Sequence, residues 1–399
     1  MAAIPRETLK ILHATAAGLC ANLVGIGLAR FAYTPLLPAL IEWRWFEPSA
    51  AAYLGAANLA GYLAGALFGR FMATRTDRTF VLRGMMLLAT ASFFACAFPL
   101  SFLWFFLWRF ASGLSGGVLM VLAAPAVLAR VPLDRRGIAG GAMFAGVGLG
   151  IIAAATLVPG LLRVGLLEAW LGLGTLALVL TAAAWSGWPV APPPPQARPK
   201  SIAAAAYPSA ALRALYLEYG LNAVALVPHM VFLVDFVARG LGQGVAVGSR
   251  YWAIFGIGAL AGPVLSGYLA DRIGFGRALR LAFVIQAAGI ALPVFTDATA
   301  ALVVSSLVAG AFAPGIVPLV LGRVQELLPN DSEGRAAAWS FCTVAFAVGQ
   351  AAAAYACSYV FARTEGAYVT LFAMGAGAVL AALAVDLLFG AKPSRLREA

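Results

Sequence analysis

Twelve long apolar runs limit what this chain can become. They fall at about 11–41, 49–72, 80–98, 101–129, 137–162, 167–188, 209–236, 247–270, 278–296, 299–328, 336–361 and 366–390. A helix needs roughly 20 apolar residues to cross the hydrocarbon core of a bilayer. Barrel strands alternate over about ten residues, whereas these runs are continuously apolar, so they read as helices. Composition agrees: 62% of residues are hydrophobic and 11% charged, against about 25% charged in a soluble chain. No water-soluble core can absorb that excess. Soluble enzymes, disordered chains and collagen-like or coiled-coil rods are excluded. The expectation is an all-α integral membrane protein.

The polar segments set the expected topology. With the N-terminus inside, 20 of the 27 basic residues fall on inside segments and 5 on outside loops, while Arg30 and Arg109 lie within spans. This is a strong positive-inside bias. It accounts for the net charge of +11 without a nucleic-acid partner, since the basic residues form no single patch. The first apolar run is too long for the h-region of a cleaved signal and reads as a first span. The stretch 189–208 contains PVAPPPPQARPKS. Consecutive prolines cannot continue a helix, so this is a cytoplasmic linker. It divides the chain into an N-terminal half, 1–188, and a C-terminal half, 209–399, of six spans each.

The halves repeat weakly. Gly113 corresponds to Gly310, Val147-Gly148 to Val348-Gly349, and Leu59–Gly61 to Leu260–Gly262. Two parallel six-helix halves with a site between them are a common architecture of secondary transporters. The loop Gly267–Arg277 reads GYLADRIGFGR. Asp271 sits at a helix C-terminus, where the dipole disfavours it, beside Arg272 and Arg277, and Gly274 permits a tight turn. This loop resembles the major facilitator motif G-x-x-x-D-R-x-G-x-x-R. The resemblance implies the major facilitator fold of twelve transmembrane helices in two pseudo-symmetric halves. It also implies a gating role for Asp271, with Gly267, Gly274, Arg272 and Arg277 around it. The matching loop after span 2, GRFMATRTDR, lacks the Asp. RFASGLSGG, from Arg109 to Gly117, is similar to the superfamily's second motif; span 5 carries Ile151 where the antiporter motif has Pro. Gly27–Pro38 and Val227–Gly242 resemble the YbfB/YjiJ-like branch.

Charged or polar residues inside spans are costly and usually face a cavity or a partner. In span 1, Asn22, Ile26, Arg30, Tyr33 and Leu37 share a face at 100° per residue. In span 7, Glu218, Asn222, Ala225 and His229 do the same. Trp339, Thr343, Phe346 and Gln350 share a face of span 11. The expected substrate contacts are therefore Arg30, Arg109, Tyr33, Asn22, Asn222, His229, Gln350 and Trp339. An internal hydrogen-bond network is the competing reading of these stripes. Asp235 lies off the span 7 face and reads as a structural or gating residue. Gly61, Gly65 and Gly69 read as close helix packing.

Two buried cations without acids beside them would be balanced by a carboxylate ligand. The expected activity is therefore secondary transport of a small organic anion by alternating access. His229 is the first candidate for proton coupling, because imidazole titrates nearest a working pH gradient, and Glu218 the second. The alternative is a proton-antiport efflux pump for neutral or hydrophobic cationic compounds. No Lys follows a Gly and only two His occur, so a Walker A loop and an H-E-x-x-H site are absent and no cofactor or metal is expected. The chain is read as a non-enzymatic, multi-pass monomer of a bacterial cytoplasmic (inner) membrane, with both termini cytoplasmic. Its partners are a small-molecule substrate, protons and the lipid bilayer.

Overall fold

The computed structural model describes residues 6–128, 130–132, 136–188, 209–329, 331–364 and 366–390. The Pro-rich linker lies outside them. Among the described residues there are no strands and twelve helical spans long and apolar enough to cross a membrane, as the apolar runs require. The first span, Glu7–Glu42, has three parts: α1 (Arg6–Asn22), a π-helical stretch (Leu23–Leu28) and, after a turn, α2 (Tyr33–Glu42). Five further helices complete the N-terminal half: α3 (Pro48–Arg75), α4 (Arg78–Cys96), α5 (Phe102–Leu128), α6 (Arg136–Leu162) and α7 (Leu166–Ala184). The C-terminal half comprises α8 (Ala210–Asp235), α9 (Val245–Ile273), α10 (Phe275–Phe295), α11 (Thr299–Leu327), α12 (Ser332–Arg363) and α13 (Tyr368–Phe389). A second π-helical stretch, Phe236–Gly240, follows α8.

Local chemistry fixes several helix starts. Asp77 accepts from Phe80 N at 2.9 Å, Ser209 from Leu212 N at 3.3 Å and Asp331 from Gly334 N at 2.7 Å. Each satisfies an orphan amide of a first turn. Pro48 opens α3, where its missing N–H costs nothing.

Glycine seams hold each half together. A Cβ added at Gly113 on α5 would lie 1.8 Å from the Asn58 carbonyl oxygen on α3. The corresponding atom at Gly310 on α11 would lie 2.0 Å from the Phe255 oxygen on α9. Neither helix pair could approach so closely with any side chain there. The repeat read in the sequence is thus a repeated packing device.

The halves meet along α2–α8, α3–α12 and α6–α9. We call the end of the bundle where α1 starts the terminal face, and the other end the far face. Near the far face the halves are joined. Thr34 donates to the Met230 carbonyl at 2.5 Å, Trp252 Nε1 donates to the Phe31 carbonyl at 3.2 Å, and Tyr53 packs on Tyr355 at 6.2 Å. On α6 and α9, Gly148 lies against Leu260 and Gly256 against Ile152. That antiparallel register, continued toward the terminal face, sets Gly141 opposite Gly267. An added Cβ at either would meet no atom of the described residues within 4 Å. The two halves are therefore closed at the far face and parted at the terminal face.

Candidate functional site

The break in the first span organises the site. Ala29–Ala32 form a turn between the π-helical stretch and α2, so carbonyls there need partners other than the usual helical amides. Three side chains converge on the Ala29 carbonyl. Arg109 Nη1 donates at 2.9 Å, Ser112 Oγ at 3.1 Å and Asn58 Nδ2 at 3.4 Å. The Arg109 guanidinium also lies over the Tyr33 ring at 4.3 Å. Tyr33 is held in turn by its hydroxyl, which donates to the Ala51 carbonyl at 2.6 Å. Arg109 is thus a buried cation engaged in holding the turn.

Arg30 is differently placed. It projects from the same turn and is half-buried. Its guanidinium lies 5.2 Å from both the Phe31 and Tyr62 ring centres. Nη2 reaches only the thioether of Met230, at 4.0 Å, and buried Nε has no partner. Across the cleft, Gln350 Nε2 approaches the same sulfur at 3.8 Å, and its Oε1 is also unpartnered. Arg30 and Gln350 therefore flank one weak acceptor. Neither Arg30 nor Arg109 has a carboxylate partner among the described residues. Both line a small cavity with Tyr33, Thr34, Asn58 and Met230; its volume of about 10 Å³ suits a single water.

Several residues grouped by periodicity do not join the arginines. The π-helical stretch changes the angular step after Asn22, and its Nδ2 donates to the Met143 carbonyl on α6 at 2.9 Å. The polar stripe of α8 faces into its own half. Asn222 Nδ2 donates to Gln286 Oε1 on α10. His229 Nε2 bonds Ser305 Oγ on α11 at 2.7 Å, its ring 4.9 Å from Phe372. Glu218 is buried and has no hydrogen-bond partner among the described residues. Its charged neighbours are Asp386, Arg323 and Arg280. Trp339 stacks on Tyr219 at 6.3 Å, and Phe346 packs on the same ring at 4.6 Å.

The candidate gating residues divide between the two faces. Asp271 is exposed and, among the described residues, has no ion pair. Gly274, at φ +82°, turns α9 into α10, and Arg272 lies over Tyr268 at 4.4 Å. Arg277 is exposed. At the far face, Asp235 is fully buried and takes Arg239 Nε at 2.5 Å, Arg239 Nη2 at 2.6 Å and the Tyr368 hydroxyl at 2.6 Å. Sequence reasoning missed Arg239 and Tyr368, as well as the Arg280–Asp386 pair and Glu326. Glu326 Oε1 accepts from Phe275 N at 2.8 Å and Oε2 pairs with Arg323 at 2.8 Å. The i, i+4 spacing of Asp235 and Arg239 was the available signal.

A family model described as uncharacterised MFS-type transporter YbfB matches residues 22–386. The chain belongs to this MFS family. It is a transporter of multi-pass membrane architecture, not an enzyme. No curated protein matches this MFS transporter. Among solved structures, a mutant of the nucleoside transporter NupG is similar with a TM-score of 0.76 at 16% identity, over 96% of this chain and 99% of that one. A D-xylose-proton symporter has a TM-score of 0.71 at 17% identity, covering 96% and 98%. The xylose transporter XylE from E. coli, in a partially occluded inward open conformation, has a TM-score of 0.73 at 13% identity, covering 96% and 98%. At these identities the likeness shows the fold alone.

Proposed function

We propose that this MFS transporter moves a small organic anion, with Arg30 as the principal contact and Arg109 adding charge from behind the turn. The supporting observation is Arg30 itself, a half-buried cation at the cleft with an unpartnered Nε and a thioether in place of an acid. A guanidinium in that setting favours a ligand that brings its own negative charge. Gln350 can add an amide contact from the other half. The arginine bias supports a terminal face turned to the cytoplasm, hence a cavity open inward, in a bacterial cytoplasmic membrane.

For proton coupling the weight shifts from His229 to Glu218. His229 is engaged by Ser305 inside its half, whereas Glu218 is a buried carboxylate without a hydrogen-bond partner, among two arginines and a second acid.

The test is a ligand-induced thermal-shift screen of purified protein against anionic, neutral and cationic metabolites. Anions should stabilise. Arg30→Ala should weaken their binding about ten- to a hundredfold, the worth of a hydrogen bond to a charged group. Arg30→Lys should restore only part, because an ammonium lacks the planar fork. In proteoliposomes, Glu218→Gln should remove the pH dependence of uptake and leave substrate exchange intact. A cationic ligand, or normal binding by Arg30→Ala, would refute the anion reading. An unaltered pH profile would refute the role of Glu218.

A further inference from the structure

The cleft carries a second chemistry next to the cation. On α12, Phe341, Val348 and Tyr359 fall on one line and are 61%, 48% and 53% exposed. Trp339, Phe346 and Gln350 lie about 140–180° around the helix from that line. They face inward, yet Trp339 and Phe346 are only half-buried. Aromatic side chains that serve as core, such as Trp170 and Trp252, are 1% and 0% exposed. Inward-facing rings that keep accessible surface border the open cleft between the halves.

These rings form a wall that Tyr219, only 4% exposed, backs from within its own half. Its ring lies 4.6 Å from Phe346 and 6.3 Å, at an interplanar angle of 29°, from Trp339. The wall connects directly to the Arg30 pocket. Gln350 shares the Met230 sulfur with Arg30, and Phe346 lies one turn before Gln350, roughly 6 Å along the axis. Tyr62 lies under Arg30 on the opposite side of the cleft. Phe346 is therefore within reach of a carboxylate joined to a ring by a short methylene arm, whereas Trp339 lies about 10 Å further along the axis.

We propose that the solute is amphipathic: a carboxylate seated on Arg30, with a flat, ring-sized apolar body against Phe346. This rests on the anion reading and narrows it to a substrate class. Offset and edge-to-face ring contacts supply affinity beyond simple area burial. A small hydrophilic acid would fill only the Arg30 end and leave the wall wet.

The probes are propionate and 3-phenylpropionate, which share the carboxylate and differ by one phenyl group. Binding is read as the ligand-induced shift in melting temperature of the purified full-length protein. The wild type should bind 3-phenylpropionate at least about tenfold tighter than propionate. Phe346→Leu and Phe346→Val should each compress that ratio about three- to tenfold. Ligand-free melting of both variants identifies any that fails to fold, leaving the other to decide. A ratio near one in the wild type, or an unchanged ratio in both folded variants, overturns the amphipathic class while the anion reading stands. If neither acid binds, or if Arg30→Ala binds both as the wild type does, the anion reading falls and takes this inference with it.

Discussion

The α3–α5 seam makes a quantitative demand on Gly113. An alanine there would place its Cβ 1.8 Å from the Asn58 carbonyl oxygen, 2.7 Å from its carbon and 2.9 Å from the Tyr62 nitrogen. All three are backbone atoms, so no rotamer change relieves the clash. The helices must separate by about 1.5 Å to restore van der Waals distance. That movement also loosens Gly61 against Phe110, Gly65 against Leu114 and the Asn58–Ser112 hydrogen bond at 3.3 Å. Overpacking of this severity costs about 3 kcal/mol, and the helix propensity of alanine returns about 1 kcal/mol. The net expectation for Gly113→Ala is a loss of about 2 kcal/mol. Gly84→Ala on α4 is the matched control, since a Cβ there meets nothing within 4 Å. It should be neutral or more stable by up to about 1 kcal/mol. Reversible unfolding in mixed micelles, followed by tryptophan fluorescence, measures both. Equal stability of the two variants would refute the seam as a close-packed contact. Gly310→Ala, against the Phe255 carbonyl, should repeat the loss in the other half.

Three further outcomes are expected. Asp235→Asn strips the bidentate partner of Arg239 and should cost about 2 kcal/mol, below the usual range for a buried pair because Arg239, at 21% exposure, can hydrate. Thermal melting checks this, and adding Arg239→Gln should recover part of the loss. Cysteines at Gly148 and Leu260 should form a disulfide readily, whereas cysteines at Gly141 and Gly267 should need a long-armed reagent in the ligand-free protein; equal disulfide yields would contradict the parted terminal face. Asp271→Asn should leave the melting temperature unchanged, since the carboxylate is exposed without an ion pair, and slow transport several-fold if the loop acts as a latch in another state. Loss of binding with normal turnover would argue against the latch.

What could be read in the sequence follows from how far each signal reaches. Hydrophobic run length is a local property, so the twelve spans were legible. The glycine repeat was legible because close approach permits only one residue type. Side-chain direction was legible only where the helix stays regular. The wheel that grouped Asn22 with Arg30 assumes a uniform step, and the π-helical stretch breaks it between the two. The α8 stripe is regular, but periodicity shows a shared face and not what faces it; His229 meets Ser305 and Asn222 meets Gln286. The convergence of Arg109, Ser112 and Asn58 on the Ala29 carbonyl leaves no trace in residue types, because its acceptor is backbone. Met230, which links Arg30 to Gln350, looked like one more apolar residue of a span.

The distribution of ion pairs has a consequence for the membrane potential. Asp235 with Arg239 and Asp386 with Arg280 leave the C-terminal half neutral at those depths. Arg30 and Arg109 put two formal positive charges on the other wall, with no carboxylate partner among the described residues. The membrane potential does work of about 2.3 kcal/mol on each elementary charge carried through 100 mV. A bound monoanion leaves one charge on that wall and a dianion leaves none; Glu218 subtracts another when ionised and nothing when protonated. With an anionic solute as proposed, voltage acts most strongly on the empty protein, and the valence of the solute sets how far loading relieves it. The arginines that would attract the solute also set how strongly the membrane potential biases the unloaded carrier between its two orientations.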